Sequence, residues 1–273
     1  MKINLYAAQG FGRPRDVPNF WVAQFGLGLA KHGYTDIHTM ESWDKSQSPC
    51  DLSVMWGIRN TSVIDYHKKH GGNYIVIERG FTPNRSEWSM VGFNGLNGQA
   101  EYCNKDMPGD RWGKYHSHRM EPWDPDGKYV LILGQTEGDS ALYDYDIRGW
   151  EERVQEYFKA AGEPYIFRAH PGPGATFMDR VPDLEKAVKG ASVVVTYNSS
   201  AGVQSILQGK PTIALHKGSM VWDVSSHALE DYNKLFMPDR SQWSYDFAYT
   251  QWRAKEIARG DTWDHLKQFY EIN

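Results

Sequence analysis

The sequence predicts an α/β protein built on parallel sheets, and three observations carry that prediction. Short apolar runs alternate with helical segments along most of the chain. In the C-terminal half, the runs 165–168, 191–196 and 212–215 follow one another with a helical segment between each pair. Glycine and proline residues mark the changes from one segment to the next. Strands joined by helical crossovers lie parallel, and 273 residues are enough for two such domains.

The composition is that of a soluble globular protein, with 40% hydrophobic and 23% charged residues and no apolar run long enough to span a membrane. The only two cysteines, Cys50 and Cys103, are too few for a disulfide scaffold and lack metal-ligand spacing. We therefore expect a reducing, cytoplasmic location. The formal net charge of −4 does not favour nucleic-acid binding, although it leaves a local basic face open.

The first domain is predicted to span residues 1–126 and to begin as one Rossmann-like half. A glycine-containing loop, 9–15, follows the first strand and either approaches a phosphate or acceptor or forms an ordinary strand-to-helix turn. The predicted strands are 2–8, 34–39, 52–56 and 74–78, and the predicted helices are 20–31 and 62–69.

A long segment, 79–126, has little periodicity and is rich in glycine, asparagine, proline and tryptophan. Stretches of this length are uncommon in compact domains unless they are functional, so we expect it to cover the acceptor side and then cross to the second domain. His116 and His118 would share one face if they lay on a strand. No further ligand stands at a suitable spacing, so a metal site is not predicted there.

The second domain is predicted at 127–250, and its polar residues follow its strands. A strand at 128–133 leads into a polar loop, the strand 165–168 leads into His170-Pro171, and the strand 191–196 leads into Asn198-Ser199-Ser200. Open α/β sheets bind ligands at the carboxyl ends of their strands, and a helix start offers N–H groups to a phosphate. The remaining residues, 251–273, are predicted as helices that pack back across the domains.

Three blocks follow one another along the C-terminal half: LILGQTEGDSAL, RAHPGPG and TYNSSAGVQSILQGKPTIAL. In this order they resemble the blocks of the capsular-polysaccharide Kdo transferases, and RAHPGPG is also similar to a motif of several bacterial sialyltransferases. The tail AYTQWRAKEIARGDTWDHL resembles the closing helices of that family, so the resemblance covers the chain from Lys128 to its end. It implies a GT-B-like fold, in which two Rossmann-like domains face each other across a cleft and the C-terminal one holds a nucleotide sugar.

The resemblance also implies which residues bind the donor. A nucleotide phosphate needs N–H groups, hydroxyls and a cation to offset its charge, and in this fold such groups can replace a metal, so no essential metal is expected. Plainer roles stay open: an N-cap at 198–200, a rigid turn with a solvated histidine, and turn or cap roles for Gln135 and Asp139. Gln204 stands where the family often carries a glutamate. The predicted donor-binding residues are Gln135, Glu137, Asp139, Arg168, His170, Asn198, Ser199, Ser200 and Gln204.

Direct displacement at the anomeric carbon needs a general base on the acceptor side. Glu78, at the end of a predicted strand, is the first candidate, and Asp16, in the first loop, is the second. Glu78 has an alternative role as a surface partner of Arg79.

The acceptor prediction leans to DNA. The small size of the chain and the segment WSMVGFNGLNGQAEY are similar to small phage-encoded proteins of this group. By that analogy, we expect an inverting bacteriophage glycosyltransferase that acts in the host cytoplasm and moves a sugar from UDP-glucose or a related donor to hydroxymethylated pyrimidines in DNA. The net negative charge counts against this acceptor, because phosphate contacts dominate DNA affinity. The predicted acceptor-binding residues are Phe11, Arg13, Arg15, Trp56 and Arg59.

Three alternatives remain. One is a surface-glycan transferase, of capsule or lipopolysaccharide type, that uses a CMP-linked sugar. Another is a nucleotide-sugar-binding protein without catalysis. The last is a sugar-nucleotide epimerase of the same architecture.

Overall fold

The computed structural model describes residues 1–7, 17–42, 44, 48–82, 87–142, 145–170 and 177–272. The chain divides into two compact units. The first unit comprises Met1–Met107 and Asp246–Asn273, and the second comprises Pro108–Tyr245. Among the described residues, no helix has the length and apolar character needed to cross a membrane.

The first unit holds a six-stranded sheet in the order β10-β5-β4-β3-β1-β2. Strands β2, β1, β3 and β4 are parallel, as the predicted Rossmann-like half requires, whereas β5 and β10 add antiparallel strands at one edge. The sequence did not predict these last two. The strands are β1 (Ile3–Tyr6), β2 (Ile37–Met40), β3 (Leu52–Trp56), β4 (Asn73–Arg79), β5 (Trp88–Phe93) and β10 (Gln251–Arg253).

Helices cover this sheet and enclose an aromatic core. Helix α1 buries Trp21, Phe25 and Leu29, and the C-terminal part of the chain adds Trp252 and Trp263 to the same cluster. The tail was predicted as helices packing across the domains; instead it contributes a strand as well as helices, and both belong to the first unit. The helices of this unit are α1 (Val17–Lys31), α2 (Thr61–His70), α8 (Ala254–Arg259), α9 (Asp261–Leu266) and α10 (Gln268–Ile272).

Helices α1 and α8 pack closely at Gly28. An added Cβ at Gly28 would lie 2.3 Å from the carbonyl oxygen of Ile257 and 3.2 Å from the Cα of Gly260. Both atoms belong to backbone, which cannot turn aside as a flexible side chain does. This position of α1 therefore requires a residue without a side chain.

The second unit holds a four-stranded sheet in the order β7-β6-β8-β9, and all three pairings are parallel. These strands agree with the predicted runs to within one residue at each end. The strands are β6 (Tyr129–Leu133), β7 (Tyr165–Arg168), β8 (Ala191–Thr196) and β9 (Thr212–Ala214). The helices are α3 (Asp110–Tyr115), α4 (Ile147–Ala161), α5 (Phe177–Gly190) and α6 (Ala201–Leu207), while α7 (Ser241–Ala248) spans the division between the units.

The strand considered for the histidine pair is absent. His116 follows α3, and His118 lies in the 3-10 turn Ser117–Arg119, so the two residues do not alternate along an extended segment. The local sequence DRWGKY favours one helical turn, because its aromatic and basic residues fit helical spacing better than alternation.

The division between the units falls before Pro108, whereas the sequence placed it at 126/127. The structure shows why. Lys210 is buried and donates from Nζ to the Asp124 carboxylate at 2.5 Å. Arg240 donates to the carbonyl oxygen of Glu121 at 2.7 Å, and its guanidinium lies 3.8 Å from the ring centre of Trp123. The stretch before β6 is thus tied to the second unit by contacts with residues about 90–120 positions later in the chain.

Candidate functional site

The predicted donor residues collect at the carboxyl edge of the second unit's sheet. Gln135 follows β6, His170 follows β7, and Asn198 follows β8. Because β7, β6 and β8 are adjacent and parallel, their ends bring these three residues to one edge. This is the edge at which open α/β sheets bind ligands.

Gln135 and Asn198 form a reciprocal pair at the centre of this edge. The Gln135 Nε2 donates to Asn198 Oδ1 at 2.9 Å, and the Asn198 backbone N–H donates to Gln135 Oε1 at 3.0 Å. Both residues are buried, with 8% and 2% of their surface exposed. Their role is to hold the two strand-end loops together, because buried amides at these exposures have little surface left for a ligand.

Two further contacts complete this buried support. Asn198 Nδ2 donates to the carbonyl oxygen of Ala141 at 2.7 Å, and the Gln135 backbone N–H donates to Glu151 Oε1 at 3.0 Å. Glu151 was missed in the sequence. Its signal is a carboxylate on the buried face of α4, one turn after Ile147, where an apolar residue would be expected.

His170 and Thr136 form the exposed part of the edge. Thr136 Oγ1 lies 2.8 Å from His170 Nδ1, which couples the loop after β6 to the loop after β7. This contact orients the His170 ring, and the threonine hydroxyl can serve either tautomer, as donor or as acceptor. Thr136 was also missed, although it lies between two predicted residues, Gln135 and Glu137.

The first N–H groups of α6 have hydrogen-bond partners within the preceding turn. Ser199 Oγ accepts the Ala201 N–H at 3.2 Å, and the N–H groups of Gly202 and Val203 donate to the carbonyl oxygens of Ser199 and Ser200. The N-cap position itself is Ser200, whose side chain makes no capping hydrogen bond, so Ser199 supports the turn that leads into the helix rather than capping it. Because the N–H groups of residues 201–203 have partners in the turn, an anion at this edge would depend on side chains.

Two acidic residues of the loop after β6 have structural partners. Asp139 Oδ1 accepts the Ala141 N–H at 2.9 Å, which is the turn role left open in the sequence. Glu137 forms an exposed ion pair with Arg148 at 3.5 Å. Both contacts are local, so they do not connect these carboxylates to the ends of β7 or β8.

Arg168 and Gln204 are half-buried on β7 and α6. Burial lowers the pKa of the Arg168 guanidinium, and the charge of Asp183 acts in the opposite direction. Such a lowering leaves arginine charged at physiological pH. Arg168 therefore supplies positive charge two residues before His170.

An aromatic stack adjoins Asn198 and was not predicted. Tyr197 stacks on Tyr145 with ring centres 4.2 Å apart and on His216 at 4.9 Å, with interplanar angles of 13° and 19°. Burial raises the pKa of Tyr197 and lowers that of His216. The stack connects the ends of β8 and β9 to the residues before α4. No local sequence pattern predicts it, because its three residues lie far apart in the chain.

The predicted acceptor side lies in the first unit. Glu78 is half-buried near the end of β4, and its Oε1 accepts the Arg79 backbone N–H at 2.9 Å. Trp56 ends β3 beside it, since β3 and β4 pair in register up to Trp56 and Ile77. Arg59 is exposed three residues later.

A close approach brings β3 to Glu78. Gly57 has a φ of +62°, and a Cβ there would lie 3.4 Å from Glu78 Oε2. Glu78 and Trp56 therefore occupy one edge of the first unit, at the carboxyl ends of its strands. The other predicted residues of this side, Phe11, Arg13, Arg15 and Asp16, lie outside the described residues.

Over the parts of the chain that the structure describes, no group of three or more histidine, cysteine, aspartate or glutamate side chains is placed to hold a metal ion. The expectation that no metal is needed stays a prediction.

Comparison with known proteins establishes the fold. No family model and no curated protein matches the chain. Among solved structures, the chain is similar to Thermosulfurimonas dismutans KpsC, beta Kdo 2,4 transferase, with a TM-score of 0.56 and 13% identity over 92% of this chain and 90% of that one. It is also similar to Thermosulfurimonas dismutans KpsC, beta Kdo 2,7 transferase, with a TM-score of 0.52 and 11% identity over 95% of this chain and 98% of that one.

These neighbours confirm the α/β, GT-B-like fold class, and they agree with the resemblance to capsular Kdo transferases that the sequence blocks indicated. Identities of 11% and 13% carry the fold and nothing finer. Both neighbours are Kdo transferases, and neither supports a DNA acceptor.

Proposed function

We propose that this chain is a glycosyltransferase that moves a sugar from a nucleotide sugar, of the CMP-linked kind, to a hydroxyl of a surface glycan. The observation that carries the proposal is the cluster at the carboxyl edge of the second unit, where Gln135, Asn198, Thr136 and His170 meet. It stands at the ligand-binding edge of a fold that two Kdo transferases share.

The donor phosphate is proposed to lie beside His170. The ring is held by Thr136 at 2.8 Å, and the guanidinium of Arg168 lies on the same strand end. A positioned imidazole and a guanidinium form charge-assisted hydrogen bonds with phosphate, which are stronger than neutral ones. These groups would offset the phosphate charge as it grows on the leaving nucleotide, which is why we propose a reaction without an essential metal.

The acceptor hydroxyl must lose its proton as the new bond forms. Glu78 is our first candidate for this base, because it lies half-buried at a strand end and presents Oε2 beside Gly57. Asp16 is the second candidate. With a carboxylate serving as base rather than as nucleophile, the sugar transfers in one displacement and the anomeric configuration inverts.

A glycan acceptor is favoured over DNA by two arguments. Both structural neighbours are Kdo transferases. The formal net charge of −4 opposes the phosphate contacts on which DNA affinity depends.

The test is product analysis by mass spectrometry. The protein is incubated with CMP-Kdo or UDP-glucose, and with either a Kdo-terminated oligosaccharide or hydroxymethylated DNA, in the presence and absence of EDTA. We expect sugar mass on the oligosaccharide with the CMP-linked donor, at the same rate with EDTA. Sugar mass on the nucleoside would overturn the glycan acceptor, and release of CMP or UDP with no acceptor product would overturn transfer.

Single variants then separate binding from chemistry. His170→Ala should weaken donor binding about 10–100-fold, since a hydrogen bond to a charged group contributes about 1.5–3 kcal/mol. His118→Ala, at an exposed histidine in the 3-10 turn Ser117–Arg119, is the matched control and should bind the donor normally. Glu78→Gln should lower kcat about 10²–10⁴-fold with donor affinity unchanged. Full turnover in both Glu78→Gln and Asp16→Asn would refute the base assignment.

A further inference from the structure

A cavity lies at the amino edge of the first unit's sheet, opposite the carboxyl edge that holds Glu78 and Trp56. It has a volume of about 510 Å³ and is bordered by the residues that precede β1 and β3, the first residue of β4, the end of α2, and α10. Ligand pockets typically measure about 300–1,000 Å³. Because the five residues of β3 are separated by four steps of about 3.3 Å, its amino end stands about 13 Å from Trp56 and the carboxyl edge. This cavity is therefore separate from the candidate acceptor site.

Two tyrosines supply aromatic surface to the cavity. Tyr66 stacks on His70 with ring centres 4.4 Å apart and an interplanar angle of 28°, and all three of Tyr66, His70 and Tyr270 line the space. Burial raises the pKa of Tyr270, whose hydroxyl is enclosed by protein, so this residue contributes an uncharged aromatic ring to the lining.

Charges of both signs line the same cavity. Lys2 and Asp51 stand at its edge, and the backbone N–H of Lys2 donates to Asp51 Oδ2 at 2.7 Å. The carboxyl end of α2, which carries partial negative charge, closes one side at Gly71 and Gly72. An anion would face Asp51 and this helix end, and a cation would face Lys2. The lining therefore suits a neutral ligand that both donates and accepts hydrogen bonds.

The wall behind the glycines is also uncharged. His67 is 1% exposed, and a Cβ on Gly72 would lie 2.4 Å from its Nδ1. Burial lowers the pKa of His67 to about 4, with a smaller contribution from the charge of His70. The ring is neutral at physiological pH, and its Nε2 is used by Ser53 Oγ at 2.7 Å.

We propose that this cavity binds a neutral saccharide unit. A pyranose ring has an apolar face of C–H groups, which packs against aromatic rings such as Tyr66, and hydroxyls that donate and accept. The Asp51 carboxylate accepts from such hydroxyls, and Lys2 donates to them. The inference uses residues of the first unit alone and holds whether or not the chain transfers a sugar, so its failure leaves the proposed function standing.

The experiment is saturation-transfer NMR on the full-length protein with the methyl glycosides of glucose, galactose and mannose, and with maltotriose. We expect transfer to the ring protons of at least one sugar. Tyr66→Ala should reduce its affinity about tenfold or more, and Tyr66→Phe should retain it, since the ring remains. Asp51→Asn should also weaken binding, while Asp65→Asn, an exposed carboxylate on the same helix as Tyr66, is the matched control and should not.

Thermal unfolding of each variant is the control for folding, and each variant should unfold cooperatively, as the unmodified protein does. No transfer to any of these sugars at millimolar concentration would overturn the proposal. It would also be overturned if transfer persisted unchanged in both Tyr66→Ala and Asp51→Asn, or if inorganic phosphate or choline displaced the sugar.

Discussion

Replacing Gln135 by leucine tests whether the reciprocal pair with Asn198 holds the candidate site together. The change removes two hydrogen bonds, of 2.9 Å and 3.0 Å, and keeps a side chain of similar length. It leaves the Asn198 side-chain oxygen and backbone N–H without partners at a residue that is only 2% exposed. The perturbation therefore acts on the loop after β8 through a residue at the end of β6.

The magnitude follows from those two groups. A buried polar group that loses its partner costs about 1–3 kcal/mol, so the two together cost about 2–6 kcal/mol. The apolar surface that leucine buries offsets part of this, by about 1–2 kcal/mol. We expect the free energy of opening of β6 and β8 to fall by about 1–4 kcal/mol. In the double variant with Asn198→Leu, the coupling energy should be about 1–3 kcal/mol.

The assay is native-state hydrogen exchange, read by mass spectrometry on peptides from β6 and β8, because a protein of two units need not unfold in one transition. Gln155→Leu is the matched control. Its amide makes one hydrogen bond, at 3.1 Å, to the carbonyl oxygen of Glu151 on a half-buried part of α4. A loss below about 0.5 kcal/mol for Gln135→Leu, or a coupling near zero, would refute the reasoning.

Three further predictions concern packing and titration. Gly28→Ala should destabilise the first unit by about 1–3 kcal/mol in urea unfolding, because the added Cβ would lie 2.3 Å from a backbone oxygen. Gly113→Ala, in an open position of α3, should instead stabilise the protein by about 0.5–1 kcal/mol. Equal effects of the two changes would contradict the packing argument. The pKa of His67 is about 4 in the folded protein and 6.5 ordinarily, so between pH 4 and 6.5 the unfolded chain binds more protons than the folded one. The free energy of unfolding should therefore fall by about 2–3 kcal/mol as the pH drops through this window. A His67→Gln variant, measured by the same urea titrations, should lack this pH-dependent component. The hydrogen bond from Lys210 lowers the pKa of Asp124, so the stability that this pair contributes is present above pH 3.8 and is lost as the pH falls below it. Calorimetry should show a lower Tm for Lys210→Met than for the unmodified protein at neutral pH, and a smaller difference in Tm in acid. A difference in Tm that does not change with pH would exclude this pair as its source.

The strands that the sequence predicts well are those with a local strand signal, meaning an apolar or β-branched run between turn residues. The runs at 52–56, 165–168 and 191–196 are apolar or β-branched and are bounded by turn residues, and the structure has strands at the same positions. Strand β10 has three residues, Gln251–Arg253, and exists because it pairs with β5 about 160 positions earlier. The residues around β10 carry no signal for pairing with so distant a strand, so the sequence predicts helices alone for the tail.

The candidate site divides in the same way. Gln135, His170 and Asn198 were found because each follows an apolar run, and the structure brings all three to one edge. The residues that support them, Thr136 and Glu151, were missed, since their importance depends on contacts across 34 and 16 positions.

The sequence by itself determined the four strands of the second unit and which polar residues follow them, because local propensity and burial pattern act over a few neighbouring residues. Only the tertiary structure decided which of those residues pair, where the two units divide, and that a cavity opens at the amino edge of the first sheet. These depend on hydrogen bonds, ion pairs and packing between segments far apart in the chain, such as Lys210 with Asp124 and Gln135 with Asn198.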